Sequence, residues 1–246
     1  MKTVCLWSGP RNVSTALMYS FAERPDTCVV DEPLYGHYLR VSGADHPGRS
    51  EILEAMDCDG DAVIRRLLGS DRPPVDLLFI KHMAHHLTDL DLSFLASTRN
   101  VLLIRDPQDM LPSLTVQIPH AGLADTGLKR QWDLYGNLKA EGQTPAIIDA
   151  RELLFDPAGV LRELCRCLDI PFYPGMLEWP AGPVKEDGIW AKHWYHAVHK
   201  SVGFEKYEAK GRFPEPLQTL LDECRPYYEN LYAESIKART SKDTQS

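Results

Sequence analysis

The residue types best suited to chemistry first occur in Ser8-Gly9-Pro10-Arg11-Asn12-Val13-Ser14-Thr15, a turn of small residues with one fixed cation. Before it, residues 2–7 form a β-branched and apolar run that predicts a strand; after it, residues 16–22 predict a helix. Unpaired backbone N–H groups at a helix start, together with the helix dipole, favour a bound phosphate or sulfate. The Ser14 and Thr15 hydroxyls lie in that first turn, and the Arg11 guanidinium can add a bidentate contact. An ordinary strand-to-helix turn is the competing reading of this stretch alone.

Three further groups stand where apolar runs end. Thr27–Asp31 predicts a second strand and is followed by Glu32, so a carboxylate lies where open α/β sheets present ligand-facing groups. A solvated Asp-Glu pair before Pro33 is the plainer alternative. Residues 77–81 form a continuous apolar run ending in Lys81, as in a central parallel strand, and His82, His85 and His86 follow. His82 and His86 would share a face if this turn were helical, which raises the question of a metal. No HExxH glutamate accompanies them and a lysine precedes them, so acid–base work or anion contact is the preferred role and no metal is expected. Residues 100–104 then deliver Arg105, with Ser113 on the exposed face of the helix that follows. An Arg105 ion pair with Asp106 or Asp109 is the structural alternative.

These groups need a frame. The 246 residues, 43% hydrophobic, suit one α/β domain, expected over residues 1–236 with a disordered polar tail at 237–246. Five strands are expected, the last at 145–149, alternating with helical text at 128–140, 151–155, 159–168 and 216–236. That alternation gives a three-layer architecture, a mostly parallel five-stranded sheet with helices on both faces. Residues 36–74 read as irregular apart from a short helix at 62–68, a lid or binding insertion. The run Asp57-Cys58-Asp59-Gly60-Asp61 lacks the closing glutamate of a calcium loop. Residues 189–200 are dense in Trp, Tyr and His and could wall a ligand. No apolar run reaches membrane-spanning length, and the chain enters its first strand too soon for a signal peptide, so no membrane partner is expected. Six cysteines without a CxxC pattern suggest a reducing cytoplasm, and a net charge of −8 argues against nucleic acid.

Taken together, two separated stretches resemble the PAPS-dependent sulfotransferases. The loop of residues 10–15 resembles the one that holds the 5′-phosphosulfate in that family. The text Leu103-Ile104-Arg105-Asp106-Pro107 through Ser113 resembles the family's 3′-phosphate motif, an Arg and a Ser eight residues apart. Residues 148–168 also resemble the family's text downstream of that motif. The resemblance implies a P-loop-like fold and sulfuryl transfer from PAPS (3′-phosphoadenosine 5′-phosphosulfate) to a hydroxyl, or less readily an amine, of a small-molecule acceptor, without metal. It implies that Arg11 and the backbone of Asn12, Val13, Ser14 and Thr15 hold the transferring end. Arg105 and Ser113 would hold the 3′-phosphate. Arg11 stands where cytosolic members carry Lys, and their Lys-Thr-His appears here as Lys81-His82-Met83. The base is therefore open among Glu32, His82, His85 and His86, Glu32 sitting in Glu-x-x-aromatic text as in carbohydrate-directed members. The late segment that closes over the 3′-phosphate is sought at Lys200-Ser201 or at Lys210-Gly211. An ATP-dependent P-loop phosphotransferase is the alternative enzyme, though GxxxxGK[ST] is absent. A nucleotide-binding module without catalysis is the third reading. The sequence sets no oligomeric state.

Overall fold

Strand β1 (Lys2–Ser8) is the middle of a five-stranded sheet in the order β2-β3-β1-β4-β5, with β2 Thr27–Asp31, β3 Leu77–Met83, β4 Arg99–Ile104 and β5 Ala146–Asp149. A computed structural model of the chain describes residues 2–69, 74–209 and 211–239. Every pairing is parallel, with Val4 opposite Phe79 on one side and Arg99 on the other. The expected mostly parallel five-stranded sheet is what the chain forms. The inner strands β1, β3 and β4 are buried on both faces, which explains their near-continuous apolar text, while edge strand β2 leaves Thr27, Cys28 and Val30 half-buried.

Eleven α-helices connect and cover the sheet among the described residues. They are α1 (Ser14–Ala22), α2 (Tyr35–Ser42), α3 (Arg49–Ala55), α4 (Gly60–Leu68), α5 (Pro107–Gln117), α6 (Leu123–Thr126), α7 (Leu128–Ala140), α8 (Ala150–Phe155), α9 (Pro157–Cys167), α10 (Ala191–Trp194) and α11 (Gln218–Ala233). Alternation along β1 divides the core: Val4 and Leu6 pack with Leu17, Phe21 and Leu161 from α1 and α9, whereas Cys5 and Trp7 pack with Val63, Leu134 and Leu138 from α4 and α7. A third cluster joins Leu102, Ile104 and Ile147 to α5 and α11. Among the described residues no helix is long and apolar enough to cross a membrane.

Among the described residues, the stretch 36–74 holds three helices rather than one. Gly43 follows the last residue of α2 and Gly48 precedes the first of α3, both left-handed at φ 68° and 77°, and Asp59 caps α4 by accepting from Ala62 N at 3.0 Å. The start of the tail is also fixed: Ala238 N donates to Glu152 Oε2 at 2.9 Å, and Ile236 forms a parallel bridge with Ile148. The expected disorder at 240–246 and the Lys210 candidate lie outside the described residues.

Candidate active site

Because every strand runs the same way, the carboxyl ends of β1, β2, β3 and β4 open on one crevice, which holds a cavity of about 740 Å³. Beyond Ser8 the chain turns through Gly9 to Val13 before α1 begins, and Val13 supplies no side-chain cap. Arg11 sits in the left-handed region at φ 52°, uncommon for a residue with a side chain. Its Nε donates to Ser113 Oγ on α5 at 2.8 Å, and Arg105 Nη1 donates to the Arg11 carbonyl at 2.8 Å. Asn12 Nδ2 donates to the Leu103 carbonyl at 2.9 Å and stitches the loop to β4. Arg11, Arg105 and Ser113 therefore meet in space although 94 and 102 residues separate the bonded pairs.

Two guanidiniums share this half of the cavity, and among the described residues neither is ion-paired. Burial, then the nearby Arg105, lowers the pKa of Arg11; burial lowers that of Arg105, opposed by Asp109 and other anions. Asp106 is occupied as the cap of α5, accepting from Gln108 N at 2.9 Å, so the Arg105–Asp106 ion-pair alternative is not formed. Like charges held together beside a helix start without a side-chain cap are an arrangement suited to an anion.

The opposite half is built on Lys81. Its Nζ, almost wholly buried, reaches Asp31 Oδ1 at 2.8 Å, Glu32 Oε1 at 2.5 Å and the Tyr195 hydroxyl at 2.7 Å. Tyr195 donates to Asp31 Oδ2 at 2.7 Å and accepts from Trp190 Nε1 at 3.1 Å. Burial works against the lysine charge, but Asp31, Glu32 and Tyr195 outweigh it and raise the pKa well above its ordinary value. Burial raises the Glu32 carboxyl, with Asp31 adding to the rise and Lys81 opposing it. Glu32 is also strained, at φ 37°, and lines the cavity with Lys81.

The histidines divide. Strand β3 runs on to Met83, so alternation turns Lys81 and Met83 to the cavity and His82 to the other face. His82 stacks on Trp7 with ring centres 4.3 Å apart, and neither ring nitrogen has a partner. The structure does not bring this candidate base to the cavity. A 3₁₀ turn (Ala84–His86) follows, so His82 and His86 do not share a helix face. His85 and His86 do line the cavity, against Tyr38 at 4.9 and 4.7 Å between ring centres. Among the described residues no group of three or more His, Cys, Asp or Glu is placed to hold a metal ion.

Of the late candidates, Ser201 lines the cavity but Lys200 does not. Ser201 Oγ already donates to the Val198 carbonyl at 2.8 Å and accepts from Trp179 Nε1 at 3.2 Å. The following segment, including Phe204, Lys206 and Tyr207, completes the wall near Arg105. Sequence reading missed Lys206 and Tyr207, which stand in irregular text without periodicity. It also missed the Asp31–Tyr195 contact, for which the only signal was a strand ending in a charge.

A parallel sheet with an arginine-bearing loop at a helix start, opposite a buried Lys–carboxylate group, makes an α/β fold with a crevice whose one half is suited to an anion. The chain belongs to the sulfotransferase family: the family model described as Sulfotransferase domain matches residues 1–235. It is 41% identical over 236 residues to branched-chain-amino-acid aminotransferase-like protein 2 of Arabidopsis thaliana, covering 94% of this chain and 41% of that protein. Protein 1 of the same name and organism is 41% identical over 240 residues, covering 96% of this chain and 42% of that protein. The chain thus spans about two-fifths of the length of these curated relatives. A crystal structure of a sulfotransferase from Alicyclobacillus acidocaldarius matches 96% of this chain and 98% of its own at TM-score 0.54 and 14% identity, a likeness of fold. The family and fold implied by the loop at 10–15 and the Arg105–Ser113 motif are thereby established.

Proposed function

We propose that this sulfotransferase domain, taken as one unit over residues 1–236, uses PAPS as donor and the hydroxyl of a small-molecule acceptor. The observation that carries the reading is the meeting of Arg11, Arg105 and Ser113 beside the uncapped start of α1. PAPS supplies the sulfuryl group, which passes to the acceptor oxygen as its bond to the phosphate oxygen breaks and PAP departs. Arg11, with the backbone N–H groups of Ser14 and Thr15, neutralises the charge left on that phosphate oxygen. Arg105 and Ser113 bind the 3′-phosphate, and Lys206 and Tyr207 border the same end. Glu32 takes the acceptor proton, a role suited by its raised pKa and its place on the cavity wall. Lys81 holds Glu32 in position, while His85 and His86, both uncharged, orient the acceptor. Six free cysteines suit a reducing compartment, and the proposal places the reaction in the cytoplasm.

Calorimetry with PAP and ADP tests the donor. Arg105→Ala should weaken PAP by about 2–3 kcal/mol, the worth of a charge-assisted bidentate contact, and ADP by much less. ADP registers any loosening of the loop that Arg105 also braces, so the difference isolates the 3′-phosphate. Equal losses would reduce Arg105 to a structural prop, and failure of the unaltered protein to bind PAP would overturn the donor.

A further inference from the structure

The cavity is divided in charge, and the division bears on the acceptor. The donor half carries Arg11 and Arg105. The far half is walled by the aromatic rings of Tyr35, Tyr38, Trp190 and Trp194. Tyr35 and Tyr38 both stack on His86, at 5.0 and 4.7 Å between ring centres, so the surface is continuous. Imidazoles add no positive charge: burial pushes His85 down to about 3 and also lowers His46 and His86. The lysine there, Lys81, is already shared between Asp31 and Glu32.

One carboxylate in this half has no counterion. Asp125 lines the cavity and accepts from Gly122 N at 2.8 Å, closing the first turn of α6, and among the described residues it meets no cation. Gly127, two residues on, lies against His85, which stands edge-on to Tyr38, and this places Asp125 at the aromatic wall. There its charge adds to the burial that raises the Tyr38 hydroxyl and opposes the burial that lowers His46. An anionic acceptor would be repelled here, and a neutral one would leave Asp125 unpaired. A cation is attracted both by the ring faces and by the carboxylate.

We propose that the acceptor is a hydroxyl-bearing cation, an amino alcohol or hydroxyalkyl ammonium, held with its positive centre between the Tyr35–Tyr38–Trp194 wall and Asp125 and its hydroxyl toward Glu32. The proposal rests on the sulfotransferase reading for the role of the hydroxyl but not for the binding of the charge.

Two isosteric probes test it: choline, and 3,3-dimethylbutan-1-ol, in which carbon replaces the charged nitrogen. Their affinities are measured on the whole chain by quenching of tryptophan fluorescence and by calorimetry, first without nucleotide and then with PAP. Choline should bind about tenfold more tightly than its neutral isostere. Asp125→Asn, which keeps the acceptor oxygen for Gly122 N, should remove most of that preference and leave PAP affinity unchanged. Equal affinities, tighter binding of the neutral probe, failure of both to bind, or a preference surviving in Asp125→Asn would each overturn the proposal. Choline preference without PAP binding would refute the donor and spare this inference; PAP binding without choline preference would do the reverse.

Discussion

Lys81 and His82 are neighbours in sequence and opposites in environment. Lys81 meets three polar partners at the cavity, whereas His82 is buried with both nitrogens unpartnered. Burial, then the charge of Lys81, pushes the His82 pKa down to about 3 from 6.5. The unfolded chain therefore takes up a proton that the fold refuses, and stability contributed at neutral pH is lost as pH falls from about 7 toward 3. His82→Phe keeps a ring against Trp7 and removes two unsatisfied nitrogens. Urea denaturation should show a gain of about 1–2 kcal/mol at pH 7 and a flatter fall into acid. Turnover should persist. A folded His82→Phe protein without turnover would return His82 to the candidate bases and count against Glu32.

At the scale of elements, the loop that carries Arg11 is held by parts far along the chain. Gln131 of α7 donates from Nε2 to the carbonyls of Trp7 and Leu103, both at 2.9 Å, bridging β1 and β4 where the ligand crevice opens. Gly9 lies against the end of α6 so closely that a Cβ would stand 2.7 Å from the Thr126 carbonyl oxygen. Gly9→Ala must push backbone against backbone, at a cost of about 1–3 kcal/mol. Thermal unfolding should shift down and PAP should bind more weakly, because the loop holding Arg11 moves. An unchanged PAP affinity would mean that the loop is set from the Arg105 side alone. Much of this arrangement was legible in sequence. Strand β2 and helix α7 have the bounds their text predicts, since apolar runs and amphipathic spacing report burial directly. Helices α2 and α3 were not legible, because they are short and α2 buries Gly36 and His37 beside its apolar residues. His82 was misplaced because β3 continues two residues past Lys81, and one position in a strand reverses a side chain.

Across the whole molecule, the sheet supplies the crevice at its carboxyl edge, and two coverings, residues 35–68 and 184–208, make it a cavity. The second covering has an anchor outside the chemistry. Asp187 accepts from the Tyr19 hydroxyl of α1 at 2.9 and 2.8 Å, from His199 Nε2 at 2.9 Å and from Val184 N at 3.2 Å. Between these contacts the chain carries Trp190 and Tyr195 into the Lys81 group. Asp187→Ala leaves the buried Tyr19 hydroxyl without its partner and frees the segment from α1. That should cost about 1–3 kcal/mol in denaturant. It should also speed proteolytic nicking within residues 184–199, because the segment opens more often. A ligand that binds only the closed form opposes this opening, by about 2.7 kcal/mol at a hundred times its dissociation constant. PAP together with an acceptor should then restore protection to the variant, while ADP alone should restore less. Nicking at the same rate in both proteins would show that Tyr195 alone secures the covering, and that the Lys81 group is its structural lock as well as part of the site.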